Sequence, residues 1–405
     1  MTSPRPTLVR SENLHVWDAD GRRYLDAVSG AFCVPLGYTR PDLIRAMTDA
    51  ARRLPFARRA AFEHPEALEY ERELLAAAGP PFARVFLTSS GSEAVDCALK
   101  IAYRYQRAAG HPERRSFASR PGHYHGATLG ALGVTGWETR RGPYEGLLGA
   151  APAGPVAANV LETIPAAGLA ARVPEPGALA RVRAECDATG ALWIADEVLT
   201  GFGRTGSLFA WQRLVERSGD RGAAPDLVVF GKSAGAGFAA LGGVLVSKAV
   251  ARALDALPAE ERFTHYQTYG GHPVACAVGR GLLRALREER LVERARAMEA
   301  PLAAAMEPFA SGPWVRARNG LGLLMGLELA PAGGSGEPYP VDARVAERME
   351  EACRAGGVLI YAARGWAEGG RGDFLLLAPP LVAGEDSFAE IASALTRAAA
   401  GVLAR

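Results

Sequence analysis

Between about residues 80 and 250 the chain alternates short apolar runs with longer stretches whose apolar positions recur every three or four residues. That alternation is how repeated strand-helix-strand units read, and it restricts the fold to an α/β class built on a parallel sheet. The candidate strands are RVFL (84–87), VAANVL (156–161), ALWIA (191–195), DLVVF (226–230) and GGVLVS (242–247). Between them lie helical patterns such as GALARVRAECDATG, with Leu179, Val182 and Cys186 on one face. Upstream, VWDADGRRYLDAVSG reads as a hairpin turning at Asp20 and Gly21. Near Trp314, after an Arg-rich helix, a second alternation of strands and helices begins and runs to the end, with GGSGE (333–337) as a loop insertion. The expected organisation is a large α/β domain (46–300) with a mostly parallel central sheet. A smaller α+β domain is then built from both termini, residues 1–45 and 301–405.

Bulk properties exclude several function classes. A net charge of +2 arises from 46 basic and 44 acidic residues spread along the whole chain, with no block able to neutralise a run of phosphates, so nucleic acid and anionic membranes are not expected partners. No segment approaches the ~20 apolar residues of a membrane span, and the first residues carry no apolar export core. The cysteines Cys33, Cys97, Cys186, Cys276 and Cys353 are far apart and lack CxxC spacing, which fits reduced thiols in a cytoplasmic protein.

In an open parallel sheet, ligands sit beyond the carboxyl ends of the strands. After RVFL comes TSSGSEAVDCALKIAYRYQ, a tight turn entering a helix. Ser90 and Glu93 read as a capping box, and the glycine and free amides suit a phosphate, although a plain capped helix start would read the same way. After ALWIA stand Asp196 and Glu197. A buried carboxylate there needs a cation such as a pyridinium nitrogen; a surface acid pair or a helix cap is the plainer alternative. After DLVVF stand Gly231 and Lys232. The chain holds only three lysines, Lys100, Lys232 and Lys248, among its 46 basic residues. A lysine retained against such a preference for arginine is a candidate for an amine that must lose its proton and react. In RPGHYHGATLGALG, Tyr124 and His125 could stack on a flat cofactor. A phosphate cradle, an acid for a ring nitrogen, an aromatic lid and a reactive lysine together describe a site for pyridoxal 5'-phosphate. GFGRTG (201–206) matches a dinucleotide fingerprint by letter, with Asp220 near the right distance, but DEVLT separates it from its strand. His123 and His125 lack a third metal ligand at suitable spacing.

These residues resemble the class III aminotransferases, fold type I pyridoxal-phosphate enzymes. The resemblance rests on Ser90-Gly91-Ser92-Glu93-Ala94, on Tyr124-His125-Gly126, on DEVLTGFGRTG (196–206), on the GKSAGAGFAALGG lysine segment and on HYQTYGGHP (265–273). It implies that Lys232 bonds the cofactor as a Schiff base and then moves a proton as general base and acid. It also implies that Asp196 meets the ring nitrogen, that Val198 and Tyr124 cover opposite ring faces, and that Ser90, Gly91 and Ser92 hold the phosphate. His125 and Glu162 join the cofactor contacts, and Thr268 reaches the phosphate of a neighbouring subunit in a homodimer. Phe32 and Cys33 resemble a pocket-lining pair of ω-amine transaminases, and Arg364 or Arg371 would grip a substrate carboxylate, with Arg364 preferred. The implied reaction transfers an amino group between an amine or amino acid and a keto acid or aldehyde. Aminomutation, racemisation, decarboxylation or elimination with carbon-carbon bond formation on the same scaffold is the alternative. The chain departs from the usual pattern after Glu162, where EPxxGxxG is common, and in the lysine loop, where Ala236 and Ala240 replace glycine and proline.

Overall fold

The computed structural model describes residues 5–148, 154–220, 222–332 and 336–403, so the loop expected at 333–337 lies mostly outside the described residues. Six strands form the central sheet in the order Phe82–Thr88, Gly242–Ser247, Leu227–Phe230, Leu192–Asp196, Val156–Glu162, Ser116–Ala118. Five of the six run the same way. Gly242–Ser247 is antiparallel to both of its neighbours, whereas the remaining pairs are parallel. The reversal follows from chain length. Only residues 231–241 separate it from the preceding strand, and a parallel crossover needs about a dozen residues or more, usually including a helix. The candidate lysine therefore lies in a tight return loop. The edge strand Ser116–Ala118 is not signalled in the sequence, because three residues carry too little pattern.

Side chains of the central strands alternate between two apolar layers, as the pleat requires. Val160, Ile194, Leu227, Val229, Val244 and Val246 pack with Ala94, Val95, Ala98 and Ile101 of the helix Gly91–Ala108. Leu161, Trp193, Val228, Phe230 and Leu245 face the opposite layer. Each fully buried Val, Leu, Ile or Phe contributes roughly 1.5–3 kcal/mol by leaving water. The layers thus fix the strands whose ends carry the candidate site.

The two ends of the chain meet. Strands Leu8–Glu12, His15–Asp18 and Arg23–Asp26 form an antiparallel sheet to which Val358–Leu359 adds in parallel. The hairpin turns where the sequence indicates, with Asp18 Oδ1 accepting from the amides of Asp20 and Arg22, and Gly21 at φ 79°. Val315–Leu321, Leu324–Leu329, Asp373–Leu377 and Tyr361–Arg364 form a second sheet. Among the described residues no helix is long and apolar enough to cross a membrane.

The GFGRTG segment joins these parts instead of cradling a nucleotide. Arg204 is 1% exposed. Its guanidinium donates to the carbonyls of Leu323 and Pro379 and to Ser29 Oγ, and that hydroxyl in turn donates to the Ala378 carbonyl at 2.6 Å. One side chain thereby ties three distant segments to the sheet. Removing it strands buried acceptors, so Arg204→Met is expected to cost roughly 2–4 kcal/mol. Urea unfolding followed by circular dichroism checks this; an unchanged midpoint contradicts the latch.

Candidate active site

The turn between Thr88 and Gly91 brings a strand end into a helix, and its cap differs in detail from a reciprocal capping box. Ser90 Oγ accepts the amide of Glu93 at 3.2 Å, but Glu93 Oε2 accepts the amide of Ser89, one residue before the cap, at 2.9 Å. Among the described residues the amides of Gly91 and Ser92 donate to no carbonyl or side chain. They stand at the N-terminus of an 18-residue helix, where the backbone dipole favours an anion. Val198 and Gly231 crowd this turn. A Cβ on Gly91 would lie 2.7 Å from Val198 Cγ1, and one on Gly231 would lie 3.0 Å from the Gly91 nitrogen. Glycine at 91 and 231 is what lets the three strand ends converge.

The acid pair divides its work. Glu197 turns inward, fully buried, and accepts the amides of Ala210 (2.9 Å) and Trp211 (2.8 Å), closing the start of the helix Ala210–Ser218. The helix-cap alternative is therefore the role of Glu197. Asp196 Oδ1 accepts the Val198 amide at 3.0 Å, and Oδ2 lies 2.8 Å from His125 Nδ1. His125 in turn lies 2.9 Å from Ser119 Oγ through Nε2. This corrects the expected stacking role of His125. Both ring nitrogens are engaged in the plane of the imidazole, and the side chain is buried beneath Asp196.

Tyr124 is a half-buried ring standing edge-on to Trp137 at 5.9 Å. Its amide donates to Glu162 Oε2 at 2.8 Å, and the Glu162 amide donates to His123 Nδ1 at 3.0 Å. His123 is pushed down to about 3 by burial and by neighbouring His125 and Arg120, so it is a neutral acceptor. Burial pushes the Glu162 carboxyl up from 4.5 to about 7, reinforced by the nearby Asp196 charge. No group of His, Cys, Asp and Glu among the described residues could hold a metal ion.

Lys232 differs from the other two lysines. Lys100 and Lys248 are exposed, whereas Lys232 is half-buried and its amine has no hydrogen-bond or ion-pair partner among the described residues. Its backbone occupies the left-handed region at φ 42°, a strain of about 1–3 kcal/mol of the kind that collects at functional sites. Desolvation lowers its amine from the ordinary lysine value, although Asp196, Glu162 and Cys33 each pull the other way. A lysine so placed yields the neutral, nucleophilic amine more readily.

The substrate side is less as expected. Phe32 is buried, edge-on to Tyr361 at 5.4 Å, and its carbonyl accepts Ser233 Oγ at 3.2 Å. Cys33 is half-buried and close enough to Lys232 to act on its charge. Arg364, however, does not reach toward this cleft. Its guanidinium is paired with Glu347 and lies 3.9 Å from buried Asp373. Arg140 is the cation beside both Tyr124 and Tyr361. It rests 5.0 Å from the centre of the Trp137 ring and has no ion-pair partner among the described residues. The TGWETRR stretch that carries Trp137 and Arg140 begins only nine residues after Gly126, and that proximity is the signal sequence reasoning passed over. Thr268 is exposed in the loop before the helix Pro273–Glu288.

These residues fit pyridoxal phosphate. Free amides at a helix start can hold the phosphate, the Asp196 carboxylate can meet a ring nitrogen, Val198 and Tyr124 can cover the ring, and an unpartnered amine stands ready for the aldehyde.

The aminotransferase class-III family model matches residues 3–143 and 143–399. An uncharacterized aminotransferase of Schizosaccharomyces pombe is 30% identical over 437 residues, covering 98% of this chain and 93% of its own. An acetylornithine aminotransferase of Xylella fastidiosa is 36% identical over 345 residues, 80% of this chain and 79% of its own. Among solved structures, the PLP-bound amine transaminase of an uncultivated Pseudomonas species superposes with a TM-score of 0.88 at 28% identity, covering 98% and 95% of the two chains. The (S)-enantioselective ω-transaminase of Thermomicrobium roseum does so at 0.88 and 31%, covering 99% and 94%.

The raised Glu162 carboxyl has a consequence for stability. A folded value of about 7 against 4.5 means the stability it contributes is complete below pH 4.5 and is lost as pH rises through 7. Glu162→Gln removes that loss, so the cofactor-free variant is expected to match the wild type near pH 4.5 and exceed it by roughly 1–3 kcal/mol at pH 8. Thermal midpoints measured across that range decide it; parallel curves contradict the assignment.

Proposed function

The chain belongs to the class III aminotransferases, and from that premise we propose that it moves an amino group from an amine or amino acid to a keto acid or aldehyde, as a cytoplasmic homodimer. It is a pyridoxal-phosphate enzyme with the α/β fold of the solved transaminases. When bound, the cofactor supplies an aldehyde carbon for the amine and a ring that takes up the electron pair left when a donor proton departs. Lys232 Nζ takes the proton from the donor carbon and returns it on the other side of the transfer. Its lowered affinity for protons suits both tasks. Asp196, held by Val198 N–H and His125, would pair with the ring nitrogen and keep it charged. The Gly91 and Ser92 amides bind the phosphate, and the methyl groups of Val198 and the Tyr124 ring exclude water from the two faces. The observation that carries this reading is the half-buried lysine, without a partner among the described residues, that lies near enough to Asp196 and Glu162 to be influenced by both charges.

On the substrate side, Phe32, Tyr361, Tyr124 and Trp137 provide aromatic walls, and Arg140 takes the carboxylate of an acidic donor or acceptor in place of Arg364. The dimer reading is supported by a patch around Thr268. Phe56, Phe62, Tyr266 and Tyr269 are 44%, 69%, 67% and 60% exposed, and such a concentration of exposed rings is typical of a surface covered by a second copy. Thr268 within it would then act on the neighbouring subunit's phosphate. Free cysteines throughout support a reducing compartment.

Half-reactions followed by cofactor absorbance test the proposal. With an amine lacking a carboxylate as donor, the wild type is expected to convert its cofactor to the amino form. Lys232→Ala should lose the conversion by at least about a thousandfold. Arg140→Met should leave that half-reaction near the wild-type rate but raise the KM for pyruvate in the return step about 10- to 100-fold. If no amine or amino acid converts the wild type, transamination is wrong. If Arg364→Met and not Arg140→Met raises the pyruvate KM, the carboxylate assignment is wrong.

A further inference from the structure

His125 faces two ways. Nδ1 meets Asp196 at 2.8 Å, and Nε2 meets Ser119 Oγ at 2.9 Å on the opposite side of the ring. Ser119 is also part of the wall of a cavity of about 880 Å³, which lies between the end of the edge strand Ser116–Ala118 and the hairpin loop at 365–370. Neither Lys232, Asp196 nor Tyr124 lines it. The cavity is therefore separate from the cleft assigned to the reaction, with His125 and Trp137 as the partition.

Its chemistry is unbalanced. Three arginines, Arg120, Arg141 and Arg172, contribute to the wall. Arg172 is spoken for by Glu328 at 2.7 Å. Arg120 and Arg141 have no ion-pair partner among the described residues, and Arg141 Nε is buried with no hydrogen-bond partner. Glu138 and Glu368 also border the space but are exposed and pair with neither arginine. Apart from these groups the walls are largely apolar, with the rings of Phe117, Trp137 and Trp366. A volume of this size is that of a site for an organic molecule and far exceeds one small ion. Two unneutralised guanidiniums beside flat apolar walls select a planar body bearing a carboxylate, which arginine binds in bidentate fashion.

We propose that this cavity is a second ligand site, taking a flat organic carboxylate between Arg120 and Arg141, and that Ser119 and His125 relay its occupancy to Asp196. The relay needs no movement of the backbone. With the cavity free of anion, the Ser119 hydroxyl can donate to His125 Nε2 while Nδ1–H donates to Asp196. A carboxylate beside Ser119 takes that hydroxyl hydrogen for itself, so Nε2 loses its donor while Nδ1–H stays on Asp196. The ring is then held from the Asp196 side alone. Ser119 acts here as a positioning residue, since it touches neither substrate nor cofactor.

Benzoate is the probe and neutral benzamide its control, titrated calorimetrically into the holoenzyme. Benzoate is expected to bind and benzamide to give no signal. Arg120→Met and Arg141→Met should each weaken benzoate about tenfold or more, whereas Arg140→Met, in the substrate cleft, should not. Loss of binding in Arg140→Met with retention in Arg141→Met would place benzoate in the substrate cleft and overturn the second site, as would absence of binding to the wild type. For the relay, nitrogen-15 spectra of histidine-labelled protein should show the His125 Nε2 resonance shifting toward that of a nitrogen without a hydrogen-bond donor on adding benzoate. Ser119→Ala should bind benzoate without that movement. A wild-type resonance that stays in place overturns the relay. Neither readout is turnover, so failure here leaves the aminotransferase reading standing.

Discussion

The withdrawal of one lysine from water into a pair of buried carboxylates is the constraint around which the site is organised. An ammonium loses hydration there, and what stabilises its charge is the proximity of Asp196 and Glu162; the balance falls on the side of a lowered proton affinity. Glu162 meets the same burial with the opposite response, holding its proton to about 7. Asp196 accepts from Val198 and meets His125, whereas Glu162 accepts the Tyr124 amide. Three ionisable groups thus share one volume with distinct tasks.

The fold serves that arrangement through the short return at residues 231–241. A helix between Phe230 and Gly242 would have carried the lysine away from the strand ends. The tight loop instead leaves Gly231 against Gly91 and Val198, and the left-handed backbone at Lys232 (φ 42°) places the side chain at the convergence. Arg204 then anchors the chain termini to the same region through Ser29, Leu323 and Pro379. Phe32 from one terminus and Tyr361 from the other, which we propose as walls of the substrate cleft, pack edge-on beside that anchorage.

Much of this was legible in the chain. Apolar runs of four to six residues marked five of the central strands to within about two residues, because fully buried strands leave a dense signal. The three-residue edge strand left none. The reversal of Gly242–Ser247 could have been inferred from loop length alone. The segments that carry Ser90 to Ser92, Asp196 and Lys232 stand at or just after the ends of their strands, which is why their spacing shows in the sequence. Arg364 and His125 were misjudged for a common reason: what a side chain does depends on its partners across the fold. Glu347 and Asp373 come within reach of Arg364, and Ser119 within reach of His125, only after the sheets have assembled. Arg140 was missed because one arginine among so many carries no signal until its neighbours Tyr124 and Tyr361 are known.

Reduction of the holoenzyme with borohydride, followed by peptide mass mapping, addresses the central claim most directly, because it fixes any cofactor-lysine bond where it stands. The account predicts the cofactor mass on the peptide containing Lys232 and on no other. Label on Lys100 or Lys248, or a protein that retains cofactor yet carries no covalent label after reduction, would contradict it.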